Sequence, residues 1–238
     1  ETDPAPGDWN ARHLFVSDDP DYAGDFYADS DQGYSQVKDP FIGQRFYYSS
    51  GGGSEPYLYT NVDTMRTTFL NDFNRGASIA TFHGHSSWLQ WAMEGVLRYY
   101  PPPYTGPNDL TSMNNQYRLP VVLEMTCFTG SFHRPEVATV DESLLNLSGG
   151  GAIAVWGSSG LGISTGHVSL QTGFYEAIND QGERNLGAAI LAGKMKLNAT
   201  GFHQDLLDTF TLFGDPALTM NFTIVPYSNH VYLPIALR

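Results

Sequence analysis

The sequence is poor in cysteine, in positive charge and in long apolar runs. One cysteine among 238 residues excludes an intrachain disulfide and a Cys-x-x-Cys metal or redox pair. No stretch reaches the roughly 18 consecutive apolar residues of a membrane helix, so we expect no membrane partner. Lys and Arg total 12 against 25 Asp and Glu, and the formal net charge of -13 excludes a non-specific nucleic-acid binder.

The remaining composition is that of a folded protein. With 41% hydrophobic and 16% charged residues, the chain has enough apolar material for one compact domain, which we place at residues 1–225, with a C-terminal tail at 226–238. Low charge together with 25 Gly, 14 Tyr and 14 Phe is typical of a secreted or cell-surface bacterial enzyme rather than a cytosolic one.

Continuous apolar runs and helical periodicities alternate along the chain. The runs predict buried strands at 12–17, 77–82, 119–125 and 151–156. The periodicities predict helices at 62–75, at 142–147, around 170–178 and at 186–197. The first of these helices has Thr60 and Asp63 placed as a capping box and Gly76 as its end. This order favours an α/β fold with a mainly parallel sheet covered on both faces, in which chemistry gathers at the carboxyl ends of the strands.

An acidic stretch follows the first strand. Asp18, Asp19 and Asp21 begin it, and acidic residues continue through Asp25 to Asp31. Carboxylates are the oxygen ligands that calcium prefers, so a structural calcium site is one interpretation, although the spacing of an EF-hand is absent. A solvated loop is the favoured interpretation.

Polar residues also follow the next two strands. His83-Gly84-His85 closes one and Cys127 closes the other. A thiol nucleophile needs an imidazole to exchange its proton and N–H donors for the oxyanion, and neighbouring strand ends supply all three. A lone cysteine is more often a small core residue, but Gly84 and Gly130 leave the backbone beside the two side chains open.

The pattern His83-x-His85 has a second interpretation. Alternating residues of a strand share one face, so the two imidazoles could bind zinc in a hydrolase. No familiar metallohydrolase spacing follows the pair, and the chain contains neither Gly-x-Ser-x-Gly nor a P-loop.

Two longer motifs carry a family resemblance. An apolar strand ends in Gly84-His85-Ser86-Ser87 and is followed by Trp91. A second, Leu119 to Glu124, leads into Thr126-Cys127 and then Gly130-x-Phe132. With these motifs the chain resembles the gingipain-type cysteine peptidases over residues 9 to about 222. Ser86 replaces the usual glycine and Thr126 the usual alanine.

The resemblance implies a fold and a set of site residues. It implies a caspase-like three-layer sandwich and a hydrolase that cleaves peptide bonds through a thioester, with no cofactor required. It implies that Cys127 is the nucleophile, that His85 is the general acid and base, and that the N–H groups of Cys127 and Ser86 bind the oxyanion. Glu124 and His83 would lie behind the site. The residues implied along the substrate cleft are Trp156, Gly157, Ser158 and Ser159. The open alternatives are a catalytically inactive binding or structural protein on this fold, and His83 in the place of His85.

One part of the family pattern is missing. The strands and helix that precede the Trp9 position in relatives have no counterpart here. We therefore expect the chain to be the C-terminal portion of a larger catalytic domain, completed by an N-terminal fragment released from the same precursor by proteolytic processing. The expected substrate is a polypeptide.

Overall fold

A computed structural model of the chain describes residues 7–224, so the predicted tail at 226–238 lies outside the described residues. The strands are β1 Arg12–Ser17, β2 Ile42–Tyr48, β3 Leu58–Tyr59, β4 Ile79–His83, β5 Ser86–Ser87, β6 Gln90–Trp91, β7 Leu97–Arg98, β8 Val121–Met125, β9 Ala154–Ser158 and β10 Phe210–Phe213. The α-helices are α1 Phe26–Tyr34, α2 Val62–Arg75, α3 Val140–Leu145, α4 Ser164–Asn179, α5 Leu186–Thr200 and α6 Leu206–Thr209, with short 3-10 helices at Trp9–Ala11 and Asp109–Ser112. None of the helices within 7–224 is long and apolar enough to span a bilayer.

Seven strands form the main sheet in the order β10-β9-β8-β4-β1-β2-β3. All neighbours run parallel except β10, which is antiparallel to β9. The chain moves outward from β1 to β2 and then returns to the other side of β1 with β4, so the strand order reverses there. A reversal of this kind opens a crevice at the carboxyl ends of the strands. A small antiparallel sheet, β5-β6-β7, follows β4 at that edge.

Two separate apolar cores cover the two faces of the main sheet. On one face Leu123 and Trp156 pack with residues of α4 and α5, and α1 adds Tyr27 and Tyr34. On the other face Val122 packs with residues of α2 and α3. Because adjacent strand residues point to opposite faces, strands that are apolar at every position must be covered on both. The predicted three-layer α/β sandwich is confirmed.

Some local details differ from the prediction. Helix α2 ends at Gly76 as expected, but its N-cap is Asn61, whose side chain accepts the N–H of Thr64; the predicted capping box is wrong. The acidic stretch is not one loop, because its second half forms α1. That helix is capped by Asp25, which accepts the N–H of Ala28, and it buries Asp29.

The central strands are aligned residue by residue. Ser17 of β1 pairs with His83 of β4, and His83 pairs with Met125 of β8. The three last residues of these strands therefore form one row across the sheet. The segments that follow them leave the sheet at the same level.

The stacked pair Phe82 and Trp91 joins this row to the small sheet. Their rings lie 4.8 Å apart and 4° from parallel, and both side chains are fully buried. We predict that Phe82→Ala lowers the free energy of unfolding by about 3–5 kcal/mol, since it removes a buried aromatic and leaves a cavity. Urea titration measures this, and Phe202→Ala, which truncates an exposed ring, is the matched control with an expected change within about 0.5 kcal/mol. Equal losses in the two variants would contradict the packing described here.

Candidate active site

His85 and Cys127 stand at equivalent positions beyond two neighbouring strands. Each is two residues past the end of its strand, and β4 and β8 pair in register up to those ends. Paired strands lie about 4.8 Å apart. The hydroxyl of Thr126 donates to the carbonyl of Gly84 at 2.6 Å and ties the two turns together. The backbones of His85 and Cys127 therefore leave the sheet side by side.

The Cys127 thiol is partly buried against the backbone of Gly162. The N–H of Gly162 donates to Sγ at 3.3 Å, and Sγ lies 3.7 Å from the carbonyl oxygen of the same residue. Burial raises the pKa of the Cys127 thiol, while the Gly162 N–H acts in the opposite direction. The thiol is thus protonated at neutral pH and needs a base to become a nucleophile.

His85 is held by two aspartates of the segment after β1. Its Nε2 lies 3.0 Å from an oxygen of Asp21, and its backbone N–H donates to Asp18 at 3.1 Å. The ring also meets the edge of Phe26, with centroids 5.3 Å apart. Burial raises the pKa of Asp18 to about 6, so its carboxylate form, the better acceptor, prevails at neutral pH. A partly exposed imidazole in fixed orientation is suited to proton transfer.

His83 occupies a different environment. Its Nε2 lies 2.9 Å from the side-chain oxygen of Gln171, whose amide nitrogen donates to the carbonyl of Asp29. The imidazole is buried, and this desolvation lowers the pKa of His83 to about 4. Because His83 and His85 have separate partners, they form no zinc-binding pair. Within residues 7–224 no group of three or more His, Cys, Asp or Glu side chains is arranged to hold a metal ion.

The calcium site predicted at Asp18, Asp19 and Asp21 does not fit this arrangement. Asp18 accepts the N–H groups of Asp19 and His85, Asp19 accepts the hydroxyl of Tyr27 and the N–H of Ser50, and Asp21 faces His85. The three carboxylates thus bond to separate protein partners. A calcium ion needs six to eight oxygens that converge on one point.

Of the two expected oxyanion donors, the N–H of Cys127 already has a hydrogen-bond partner. The N–H of Cys127 donates to the side-chain oxygen of Ser86 at 3.1 Å. The same oxygen lies 2.6 Å from the hydroxyl of Thr126.

The predicted cleft residues lie deeper than expected. Trp156 is fully buried and packs on Phe174 and Phe210, while Gly157 and Ser158 are buried in β9. The prediction that Trp156 flanks a substrate is wrong, because β9 continues to Ser158 and keeps the indole in the core. Ser159 is half-buried and bonds to the carbonyl of Thr209. The exposed apolar side chains near the thiol are instead Leu161 and Ile163, on either side of Gly162.

Glu124 lies under the nucleophile turn and has a partner that the sequence did not reveal. It is fully buried, as is Asp141 of α3, and the two carboxyl groups influence each other's pKa. A Cβ added to Gly157 would lie 2.2 Å from an oxygen of Asp141, so the glycine makes room for this pair. Burial raises the pKa of Glu124 to about 7, and burial together with Glu124 raises the pKa of Asp141 as well. The pair therefore retains a proton near neutrality.

A cavity of about 980 Å³ opens at the opposite edge of the sheet. It is lined by residues that precede β2 and β9, among them Phe41 and Ile153, and its lining contains neither a cysteine nor a histidine. Size alone therefore does not identify the candidate site at the carboxyl ends of the strands.

Sequence reasoning missed Asp21 as the partner of His85, Gly162 as the partner of the thiol, and Asp141. The sequence could have indicated that Asp21 lies near His85, since the acidic segment follows a strand predicted to end at the same edge of the sheet as His85. Gly162 and Asp141 come from segments more than ten residues away along the chain, and no local pattern links them to Cys127.

Comparisons with known proteins point to one family and one fold. The family model described as Peptidase family C25 matches residues 1–221. No curated protein sequence matches the chain significantly. Among solved structures, the Arg-specific cysteine proteinase gingipain R superposes with a TM-score of 0.69 at 18% identity, covering 91% of this chain and 49% of the other.

A second solved structure shows the same likeness in fold. The complex of the Porphyromonas gingivalis RgpB pro- and mature domains superposes with a TM-score of 0.69 at 17% identity, covering 91% of this chain and 50% of that one. At these identities the likeness shows the fold. The chain spans about half the length of the structures it matches.

The buried Glu124 and Asp141 pair predicts a pH-dependent stability. A folded-state pKa raised above the usual value means that unfolding releases a proton, so this contribution is fully present below about pH 4.5 and is lost as the pH rises through about 7. We expect the free energy of unfolding of Glu124→Gln to fall less between pH 5 and 8 than that of the wild type, since a neutral amide has no proton to release. Urea unfolding at pH 5, 6, 7 and 8 gives the free energy of unfolding of both proteins, and the difference between them is the measured quantity.

The buried histidines change the free energy of unfolding with pH in the opposite direction. They are present in both proteins, so their contribution cancels when the variant is compared with the wild type. Glu136→Gln, at an exposed carboxylate, is the matched control and should leave the pH profile unchanged. A profile for Glu124→Gln that parallels that of the wild type would contradict the assignment of the proton to this pair.

Proposed function

Because the chain belongs to peptidase family C25, we propose that it is a cysteine endopeptidase in which Cys127 is the nucleophile and His85 the general acid and base. The observation that carries the proposal is the register of β4 and β8, which sends His85 and Cys127 out of the sheet at the same level. The partial exposure of both residues and the burial of His83 support the choice of His85.

The proposed reaction has two steps. His85 takes the thiol proton, and Sγ of Cys127 attacks the carbonyl carbon of the peptide bond. The resulting oxyanion collapses, the C–N bond breaks, the amine leaves with the proton from His85, and a thioester remains. A water molecule then gives a proton to His85 and attacks the thioester. The C–S bond breaks, the carboxylic acid product leaves, and Cys127 takes the proton back from His85.

Asp21 contributes orientation. Its carboxylate bonds to Nε2 of His85, so Nδ1 is the ring nitrogen that we propose exchanges a proton with Cys127. The two side chains are about one third exposed, at 33% and 36%, so the interaction is screened by water. Its free-energy contribution is therefore that of an exposed pair, about 0.2–1 kcal/mol, and not that of a buried triad.

The substrate class, the location and the partner are parts of the same proposal. A peptidase acts on polypeptides, and we propose a secreted or cell-surface bacterial enzyme, as its composition indicates. Because the chain spans about half of the structures it matches, we further propose that a fragment of the same precursor completes the catalytic domain. The complex of pro- and mature domains among the matched structures is compatible with such a partner.

Substitution of the proposed dyad should separate the two histidines. Cys127→Ala abolishes peptide cleavage, and His85→Ala lowers kcat by about 10²–10⁴-fold because general acid–base catalysis is lost. His83→Ala serves as the matched control and lowers activity only weakly, since that imidazole acts through Gln171 behind the site. The measurement is labelling of Cys127 by peptidyl acyloxymethyl ketones of varied P1 residue, followed by peptide mapping, together with cleavage rates.

An essential His83 with a dispensable His85 would reverse the assignment. Absence of labelling with every P1 residue, in the chain and in its precursor, would favour the inactive binding protein. Loss of activity with a chelator but not with iodoacetamide would favour the zinc hydrolase.

Asp21→Asn tests the orienting role. We expect kcat/KM to fall by no more than about fivefold, because the exposed pair is worth at most about 1 kcal/mol. Asp25→Asn, which alters a nearby carboxylate that caps α1, is the control and should leave kcat/KM unchanged. A loss of a thousandfold in Asp21→Asn would show that Asp21 does more than orient the ring.

A further inference from the structure

The hydroxyl of Ser86 caps the backbone N–H of the nucleophile. Cys127 N–H donates to Ser86 Oγ at 3.1 Å, and Ser86 Oγ lies 2.6 Å from Thr126 Oγ1. Ser86 Oγ also makes a close contact with the carbonyl oxygen of Cys127. One side-chain oxygen thus contacts three polar atoms of the nucleophile turn.

The direction of each hydrogen bond follows from the chemistry of the groups. The carbonyl of Gly84 can only accept a hydrogen bond, so the Thr126 hydroxyl donates its proton to that carbonyl, at 2.6 Å. The carbonyl of Cys127 can likewise only accept, so it takes the single proton of the Ser86 hydroxyl. The lone pairs of Ser86 Oγ then accept the Cys127 N–H. The cap is held in this orientation by the turn that joins β4 to β5.

The capped N–H is the group that a tetrahedral oxyanion on Cys127 requires. An N–H has one proton, so Ser86 Oγ and an oxyanion compete for it. Hydrogen bonds to a charged acceptor are about twice as strong as bonds to a neutral one, so the oxyanion displaces the hydroxyl, but at the loss of an existing bond. The free enzyme is thus ordered at the nucleophile, and acylation carries an extra cost.

We propose that Ser86 is a positioning residue that caps the Cys127 N–H in the free enzyme and gives it up when the oxyanion forms. This inference rests on the peptidase function proposed above. It assigns to the Ser86 side chain an effect opposite to that of its backbone N–H: the N–H stabilises the oxyanion, while the hydroxyl competes with it. Removal of the hydroxyl should accelerate only those reactions of Cys127 that pass through an oxyanion.

Two small reagents separate the reactions of Cys127 that pass through an oxyanion from those that do not. Neither reagent carries a P1 side chain, so substrate specificity does not affect the comparison. With p-nitrophenyl acetate, Sγ attacks the acetyl carbon, an oxyanion forms, and p-nitrophenolate leaves as the C–O bond breaks. With iodoacetamide, Sγ displaces iodide from carbon and no oxyanion forms. The ratio of the two rate constants at one pH therefore reports oxyanion stabilisation and cancels changes in thiol ionisation.

The test compares wild type with Ser86→Ala in the full chain. We expect the ratio of the p-nitrophenyl acetate rate constant to the iodoacetamide rate constant to rise roughly three- to tenfold, because the oxyanion no longer displaces a neutral hydrogen bond. The iodoacetamide rate should be nearly unchanged. Amide hydrogen exchange at Cys127 should also become faster. Ser86→Gly lacks the same hydroxyl and provides a second variant if Ser86→Ala folds poorly. Ser87→Ala is the matched control, since the Ser87 side chain accepts the N–H of Leu89 and has no bond to Cys127.

An unchanged or lower ratio in a variant whose Cys127 still reacts would overturn this inference and leave the peptidase proposal standing. A lower ratio would identify the Ser86 hydroxyl as an oxyanion donor. Failure of Cys127 to react with either reagent, in the wild-type chain and in its precursor, would overturn the peptidase proposal, and this inference with it.

Discussion

The register of three parallel strands is the constraint on which the site depends. Ser17, His83 and Met125 lie in one row, and the acidic segment, His85 and Cys127 each follow a member of that row. A shift of one residue between β4 and β8 would turn every side chain of one strand to the opposite face, where it no longer fits its core. The apolar residues on both faces therefore fix the relative position of the imidazole and the sulfur.

Behind the site, polar side chains connect the layers that the apolar cores hold together. His83 bonds to Gln171 of α4, Gln171 bonds to the backbone of α1 at Asp29, and the Asp29 carboxylate accepts the hydroxyl of Ser164 at 2.5 Å. Ser164 begins α4 directly after the segment that contacts the thiol. This network links the end of β4 to the Gly162 segment through buried hydrogen bonds. It gives His83 a structural role close to the reacting groups without exposing it to substrate.

Most of the central sheet could be predicted, because a strand buried on both faces is apolar at every position. The runs at 12–17, 77–82 and 119–125 match β1, β4 and β8 to within two residues. Strand β2 was missed because the partly exposed Gln44 and Arg45, which point to opposite faces, break its apolar run. Only the two-residue strand β3 lies beyond it in the sheet. Helix α1 was missed for a similar reason: its sequence is largely polar and small, and it is stabilised by the Asp25 cap and by packing against α4.

For the site, the chain positions of His85 and Cys127 were accessible from the strand ends, and the family motifs indicated their roles. The contacts around them were not. Gly162 reaches the thiol through a long-range turn, Asp141 meets Glu124 across two elements, and the hydroxyl of Ser86 bonds to a backbone group whose position depends on strand register. Trp156 was misassigned because the sequence does not reveal that β9 continues two residues beyond the apolar run.

The most direct test of the account is a crystal structure of the protein with a peptidyl acyloxymethyl ketone bound covalently to Cys127. The decisive quantity is the distance from Sγ to the nearest imidazole nitrogen of His85. The account predicts a separation of about 4 Å or less, with His83 still bonded to Gln171. A His85 ring directed away from the sulfur, or His83 in its place, would contradict it.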